Sequence, residues 1–170
     1  MIAGYGAYRT LPTHDFLGTG VDYLLLATVA GWIALNFFGF YQNGAMRRQL
    51  EKKLSDLPQE RVFVGCTSPK YTGLLDAHED VGFLVFGDRA LVFVSETKTV
   101  DLARNEIKRV MFRPNVHSLL GLGRWIAIEG AKGSHEVRMM IEPRERNTML
   151  GNVLIGGALR KRIEAWRRSS

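Results

Sequence analysis

Side chains able to do acid–base, nucleophilic or metal chemistry are few in this sequence, and they are scattered. The four histidines, His14, His78, His117 and His135, show no metal-ligand spacing such as H-E-x-x-H, and the His135-Glu136 pair stands alone. Cys66 is the single cysteine and falls in an apolar stretch, which reads as a buried inert thiol rather than a nucleophile. With no second cysteine, an intramolecular disulfide and a Cys-cluster zinc site are both excluded, and a reducing compartment suits the chain. The one local gathering is Asp76, His78, Glu79 and Asp80. It reads as a solvated acidic loop, with a small membrane-bound enzyme using it as the remote alternative. No G-x-S-x-G element is present, and Gly121-Leu122-Gly123 lacks the rest of a dinucleotide or phosphate-binding motif. The expectation is a protein that is not an enzyme, with no cofactor and no metal.

The chemistry that is plentiful is cationic. Lys and Arg number 23 against 17 Asp and Glu, and the basic residues form three groups. Arg47, Arg48, Lys52 and Lys53 follow an apolar run; Arg113 and Arg124 flank Leu119, Leu120 and Leu122; Arg160, Lys161, Arg162, Arg167 and Arg168 surround Leu159, Ile163 and Trp166. Basic side chains beside apolar ones suit acidic lipid or an acidic protein partner. Each group also has a plainer reading. The first is a connecting helix with solvated charges, the second a set of leucines capping the fold, and the third a packed stripe with arginines in water. Nucleic acid is not expected as a partner, because no recognition fold accompanies the charge.

What must position these groups begins with Tyr23–Tyr41, YLLLATVAGWIALNFFGFY, a 19-residue run without a formal charge. At about 1.5 Å per residue it reaches roughly 28 Å, close to the hydrocarbon thickness of a bilayer, so residues 21–41 read as a transmembrane helix. Tyr23 at one end, and Phe40 and Tyr41 at the other, would place aromatic rings at the interfaces, with Trp32 and Asn36 inside. Asn36, and the small pairs Ala27/Gly31 and Ala30/Ala34, are where a neighbouring helix would pack. Arg9 is the sole Lys or Arg before the run, so the basic excess after it predicts an N-terminus outside and a cytoplasmic C-terminal part. Residues 1–20, Gly-rich and short, read as an external tail.

With 170 residues, 46% hydrophobic, 24% charged and 5 Pro, the chain holds one ordered domain besides this span. Residues 42–58 form a basic juxtamembrane linker in which Ala45–Leu57 is helical, with Met46, Leu50, Leu54 and Leu57 on one face and Pro58 ending it. From Arg61 the period changes to that of strands. Seven follow, at 61–68, 81–86, 90–96, 98–103, 106–113, 124–130 and 135–142, separated by turns or by the longer loops 69–80 and 114–123. A helix capped by Asn147 closes the chain near Arg168, with its first half, Leu150, Val153, Leu154 and Ile155, packed inside the fold.

Seven antiparallel strands and one closing helix form the order of the pleckstrin-homology-like (PH-like) barrel, an α+β, largely all-β fold. Gly82-Phe83-Leu84-Val85-Phe86-Gly87-Asp88-Arg89-Ala90-Leu91-Val92-Phe93, followed by Ile107-Lys108-Arg109-Val110, resembles the bacterial PH and GRAM pattern, and Trp166 is similar in placement to the family's helical Trp. The resemblance covers 61–168. It implies two orthogonal sheets plugged by the helix, and a binding module rather than a catalyst. The loop that carries phosphoinositide-binding basic residues in part of that family here has Lys70 but also Asp76, His78, Glu79 and Asp80, which would repel a polyphosphate.

The functional expectation is therefore a single-pass cell-membrane protein whose cytoplasmic PH-like domain binds a protein partner or acidic lipid headgroups. The alternative is a small structural subunit of a larger membrane complex, packed through its span.

Overall fold

From Gly20 onward, Leu, Val, Ala and aromatic residues follow one another with no helical stripe, so a helix built from them is apolar on every side. That helix is α1, Phe16–Phe37. Its large side chains, Leu24, Leu25, Leu26, Val29 and Ile33 among them, stand exposed, and it is long and apolar enough to cross a membrane. Thr28 Oγ1 donates to Leu24 O at 2.8 Å, which satisfies its hydroxyl within the helix. The computed structural model describes residues 16–68 and 79–169, in two units that meet between Phe38 and Gly39. Residues 1–15 of the expected external tail and the loop residues Lys70, Asp76 and His78 lie outside the described residues, whereas 16–20, expected in that tail, are the first turn of α1.

α1 ends at Phe37, short of the expected Tyr41. A turn follows over 38–42, with Gly39 at φ +73°, a left-handed conformation that a Cβ would strain. Phe40 is not an interfacial ring of the span: it is 2% exposed and packs with Leu122 and Met149 inside the second unit. Hydropathy alone cannot separate an aromatic ring bound for lipid from one bound for a protein core.

The second unit starts with α2, Asn43–Lys53. The apolar face expected for it exists, but it is spent on protein. Leu50 is buried, and Met46, Leu54 and Leu57 join it against Phe63, Phe83 and Val85 on one face of the sheet.

All seven strands form: β1 Arg61–Thr67, β2 Asp80–Phe86, β3 Ala90–Ser95, β4 Thr99–Ala103, β5 Ile107–Arg113, β6 Trp125–Lys132 and β7 His135–Pro143. They make one antiparallel sheet ordered β4-β3-β2-β1-β7-β6-β5. Two meanders, β1–β4 and β5–β7, are joined by pairing β1 to β7 over Val64↔Pro143 to Thr67↔Met140. β4 and β5 do not pair, so the sheet is not closed as a barrel and is not split into two separate sheets. Period-two alternation places Leu91 and Phe93, or Ile126 and Ile128, on one side. These meet Val64, Leu84, Leu102, Val110 and Ile141 in the main core. Each such buried side chain contributes on the order of 1.5–3 kcal/mol.

The closing helix, α3, spans Met149–Arg168. Thr148 caps it, Oγ1 accepting from Gly151 N at 3.2 Å, while the expected cap Asn147 instead accepts from Gly44 N at 3.0 Å. Leu159 and Ile163 enter the core, and Trp166 Nε1 donates to Gly87 O at 2.9 Å, pinning the helix end on the β2–β3 turn. The first half corrects the expectation. Met149, Asn152 and Gly156 face inward, leaving Leu154 74% exposed and Leu150 37% exposed. The face already committed at Leu159 and Ile163 sets which residues one and two turns earlier point in, and Leu150 and Leu154 are not among them.

Candidate functional site

The strands β5, β6 and β7 are paired so that Arg109 lies opposite Glu129, and Glu129 opposite Arg138. A bulge between Ile107 and Arg109 sets this register. Arginines from the two outer strands therefore converge on one carboxylate from the middle strand. Glu129 accepts from Arg109 Nε, from Arg113 at 2.7 and 3.1 Å, and sits 2.9 Å from Arg138 Nε. Burial pushes the Glu129 carboxyl upward, but the bonds from Arg109 and Arg113 and the charges of Arg113 and Arg138 outweigh it, holding it below the usual carboxylate range.

One carboxylate cannot neutralise three guanidinium groups. Lys108, exposed beside them, adds a fourth cation, and Glu136 supplies the other acid along an open groove of about 710 Å³ that also includes Arg109, Glu129 and Arg138. Arg109 keeps 61% of its side chain exposed. The arrangement offers planar, preoriented donors to an incoming carboxylate or other anion. Sequence reading named only Arg113 of this group. A period-two pattern of Arg109, Met111 and Arg113 against Trp125, Ala127 and Glu129 carried the signal, but pairing across three strands was needed to read it.

The other expected contacts are dispersed. Of the first group, Arg47 binds Glu51 at 3.0 Å as well as Glu145, Lys53 binds Glu96 at 2.8 Å, and Arg48 and Lys52 are exposed. In the helix group, Arg160 lies 5.2 Å from the Phe112 ring centroid, and Arg162 binds Glu60 at 2.6 Å. Arg167 donates to Lys108 O at 3.1 Å and meets Glu164, as does Arg168, while Lys161 is exposed. Trp166 is half-buried against the main core, edge-on to Phe86 and beneath Arg104. The amphipathic stripe at this end is thus a packing surface. On α1, Trp32 is 38% exposed, with Tyr23 and Asn36 half-buried.

The loop between β5 and β6 is a built structure. Val116–Leu120 makes a 3-10 turn capped by Asn115 Oδ1, which accepts from Ser118 N at 3.0 Å. Ser118 Oγ donates to Gly123 O at 2.7 Å, and Gly121, at φ +68°, lets Leu122 N reach His117 O at 3.0 Å. Leu122 is fully buried, whereas Leu119 is 76% and Leu120 48% exposed; Arg124 lies 3.7 Å over the Phe112 ring.

Of the residues with enzymatic potential, Asp80 accepts from Ser95, Thr97 and the Val81 N–H, tying the start of β2 to the β3–β4 turn. Burial opposes its charge, yet these bonds and Lys98 hold its carboxyl below the usual range. Cys66 is 1% exposed, and burial, the largest influence on it, pushes its thiol up to about 12. Among the described residues, no three His, Cys, Asp or Glu side chains gather as a metal site. Comparison with protein-family models, with curated proteins and with solved structures finds no match.

Proposed function

We propose that this chain is a single-pass membrane protein: α1 is the anchor, and the unit from Gly39 is a cytoplasmic, non-enzymatic binding module of the PH-like class that takes an acidic protein partner. The basic groove around Glu129 carries this reading. Lys108, Arg109 and Arg138 line it, and Glu129, one of its two acids, is also held from outside it by Arg113, so its positive charge exceeds what Glu129 and Glu136 neutralise. Strand order, the closing helix and the seat of Trp166 on the β2–β3 turn support the PH-like assignment. The basic residues that follow α1, against Arg9 alone before it, support the cytoplasmic orientation.

The groove lies toward the Ile107↔Gly130 end of the β5–β6 ladder, away from the Arg113↔Trp125 end that leads into the leucine-bearing turn. Its test is charge reversal in the full chain. A photo-cross-linker at Glu136 in native membranes should capture an acidic protein, and Arg109→Glu with Arg138→Glu should abolish that capture in a protein that is still folded, though less stable because Glu129 loses two partners. Equal capture by both forms would dismiss the groove as the recognition surface.

A further inference from the structure

Among the described residues of the second unit, the exposed large apolar side chains come from three segments. They are Tyr41, Val116, Leu119, Leu120, Leu150 and Leu154. The segments meet, because Phe40, Leu122 and Met149 pack as one buried cluster. Tyr41 adjoins the first, the 3-10 turn leads into the second, and Leu150 and Leu154 follow the third on one side of α3. Exposed apolar side chains flanking one shared buried cluster suit a docking surface.

The charges say what docks. Residues 38–50, 111–128 and 146–163, which build this face and its margins, contain no Asp or Glu, although the whole chain has 17. They do contain Arg48, Arg124 and Arg146, all exposed. Carboxylates that touch these segments are already engaged: Glu142 is 3% exposed and accepts from Asn115, Glu145 holds Arg47 and the Phe63 N–H, and Glu129 holds Arg113. Apolar tips with basic side chains beside them complement an anionic lipid leaflet. The chain also enters this face at Phe40, three residues after α1 ends, and covalent reach alone keeps that point within about 11 Å of the helix terminus. Bonds from Ser118 N to Asn115 O, Gly121 N to Ser118 O and Leu122 N to His117 O fix the 3-10 turn from which Leu119 projects, 76% exposed.

We infer that this face seats on the bilayer that α1 spans, with Leu119, Leu120 and Leu154 entering the interface and Arg48, Arg124 and Arg146 at the headgroups. The inference rests on the anchoring reading above. Seated so, the module would direct the other end of the β5–β6 ladder, with its basic groove, away from the membrane.

The test uses the full chain in vesicles of phosphatidylcholine and phosphatidylglycerol. Cys66 is buried and poorly ionised, so single cysteines at Leu119, Leu154, Ile33 and Glu136 can each carry an environment-sensitive fluorophore. Labels at 119 and 154 should emit from an apolar environment and be quenched by spin-labelled lipid, as at 33, while 136 reports water. Water-like emission at 119 and 154 with quenching at 33 would overturn the seating and leave the anchor standing. Apolar emission at 119 and 154 without lipid quenching would mean that protein, a second copy or another subunit, covers the face, and would overturn it too. No quenching at 33 would remove the anchor itself, and the inference with it.

Discussion

The guanidinium of Arg144 lies 4.5 Å from the centroid of the Phe40 ring, joining the turn after α1 to the segment between β7 and α3. The pair is the centre of a buried polar knot. Arg144 donates to Gly39 O and, at 3.0 Å, to Asn43 Oδ1, while Asn43 Nδ2 donates to Arg146 O at 2.6 Å. Asn152 receives Arg146 N at 2.9 Å and completes the connection to α3. Burial lowers the Arg144 pKa, with the charge of Glu142 opposing, so this cation is retained in a place that disfavours it. The knot makes residues 39–47 part of the folded unit rather than a linker.

Arg144→Met removes the charge but strands Asn43 Oδ1 and Gly39 O without their donor. Asn43 Oδ1 is buried, and leaving it unsatisfied costs about 1–3 kcal/mol, whereas Gly39 is exposed and its carbonyl can take water. The expected loss is therefore about 1–3 kcal/mol by urea denaturation of the full chain in detergent. A change below the error of that measurement would show that the knot contributes nothing to stability.

The boundary of the folded unit follows from the same contacts. A chain starting at Gly39 retains Phe40 and Asn43, whereas one starting at Ala45 loses both. The shorter chain forfeits a buried aromatic ring, typically about 3–5 kcal/mol, and leaves Arg144 without its partners. It should be less stable by at least about 3 kcal/mol, read as a lower denaturation midpoint. Matching midpoints would place the boundary after Gly44.

Glu129 ties its stability contribution to pH. Its folded pKa is below the unfolded value, so the charged form stabilises the fold above about pH 4.5, and that contribution is lost as pH falls through the lower folded value. Glu129→Gln should therefore be less stable than the parent at pH 7, by about 1 kcal/mol because the partner arginines are partly solvated. The two curves should approach each other as pH falls below about 4.5. A gap that is constant over this range would assign the effect to packing instead of charge.

Cys66 should be silent to thiol reagents in the native state. With its thiol pushed up to about 12 and its side chain buried among Val64, Leu84 and Ile141, it offers neither thiolate nor access. Reaction with a disulfide reagent at pH 8 should be negligible in the folded protein and complete in denaturant. Rapid native labelling would place the thiol at the surface.

Much of the fold was legible in the residues because it rests on local periodicity. The seven strands appear within a residue or two of where alternation of Val, Phe and Ile with polar residues puts them. The uncharged run from Tyr23 is one continuous helix as far as Phe37, while its last four residues, 38–41, leave the helix for a turn. The single cysteine, the scarcity of spaced ligands and the acid-free stretches are likewise properties of sequence alone.

Tertiary structure decided everything that depends on which apolar face meets which. Phe40 and Leu119 are both large, apolar and next to glycine or leucine in sequence, yet one is buried and the other projects. Leu154 and Leu159 lie in the same helix with opposite fates, because the sheet accepts only one of its faces. The basic groove is similar: Arg109, Glu129 and Arg138 are 9 to 29 residues apart in sequence and meet only through strand register. Hydropathy and charge are local quantities that a sequence states outright, whereas burial and ion pairing belong to pairs of distant segments and exist only once the sheet has chosen its order.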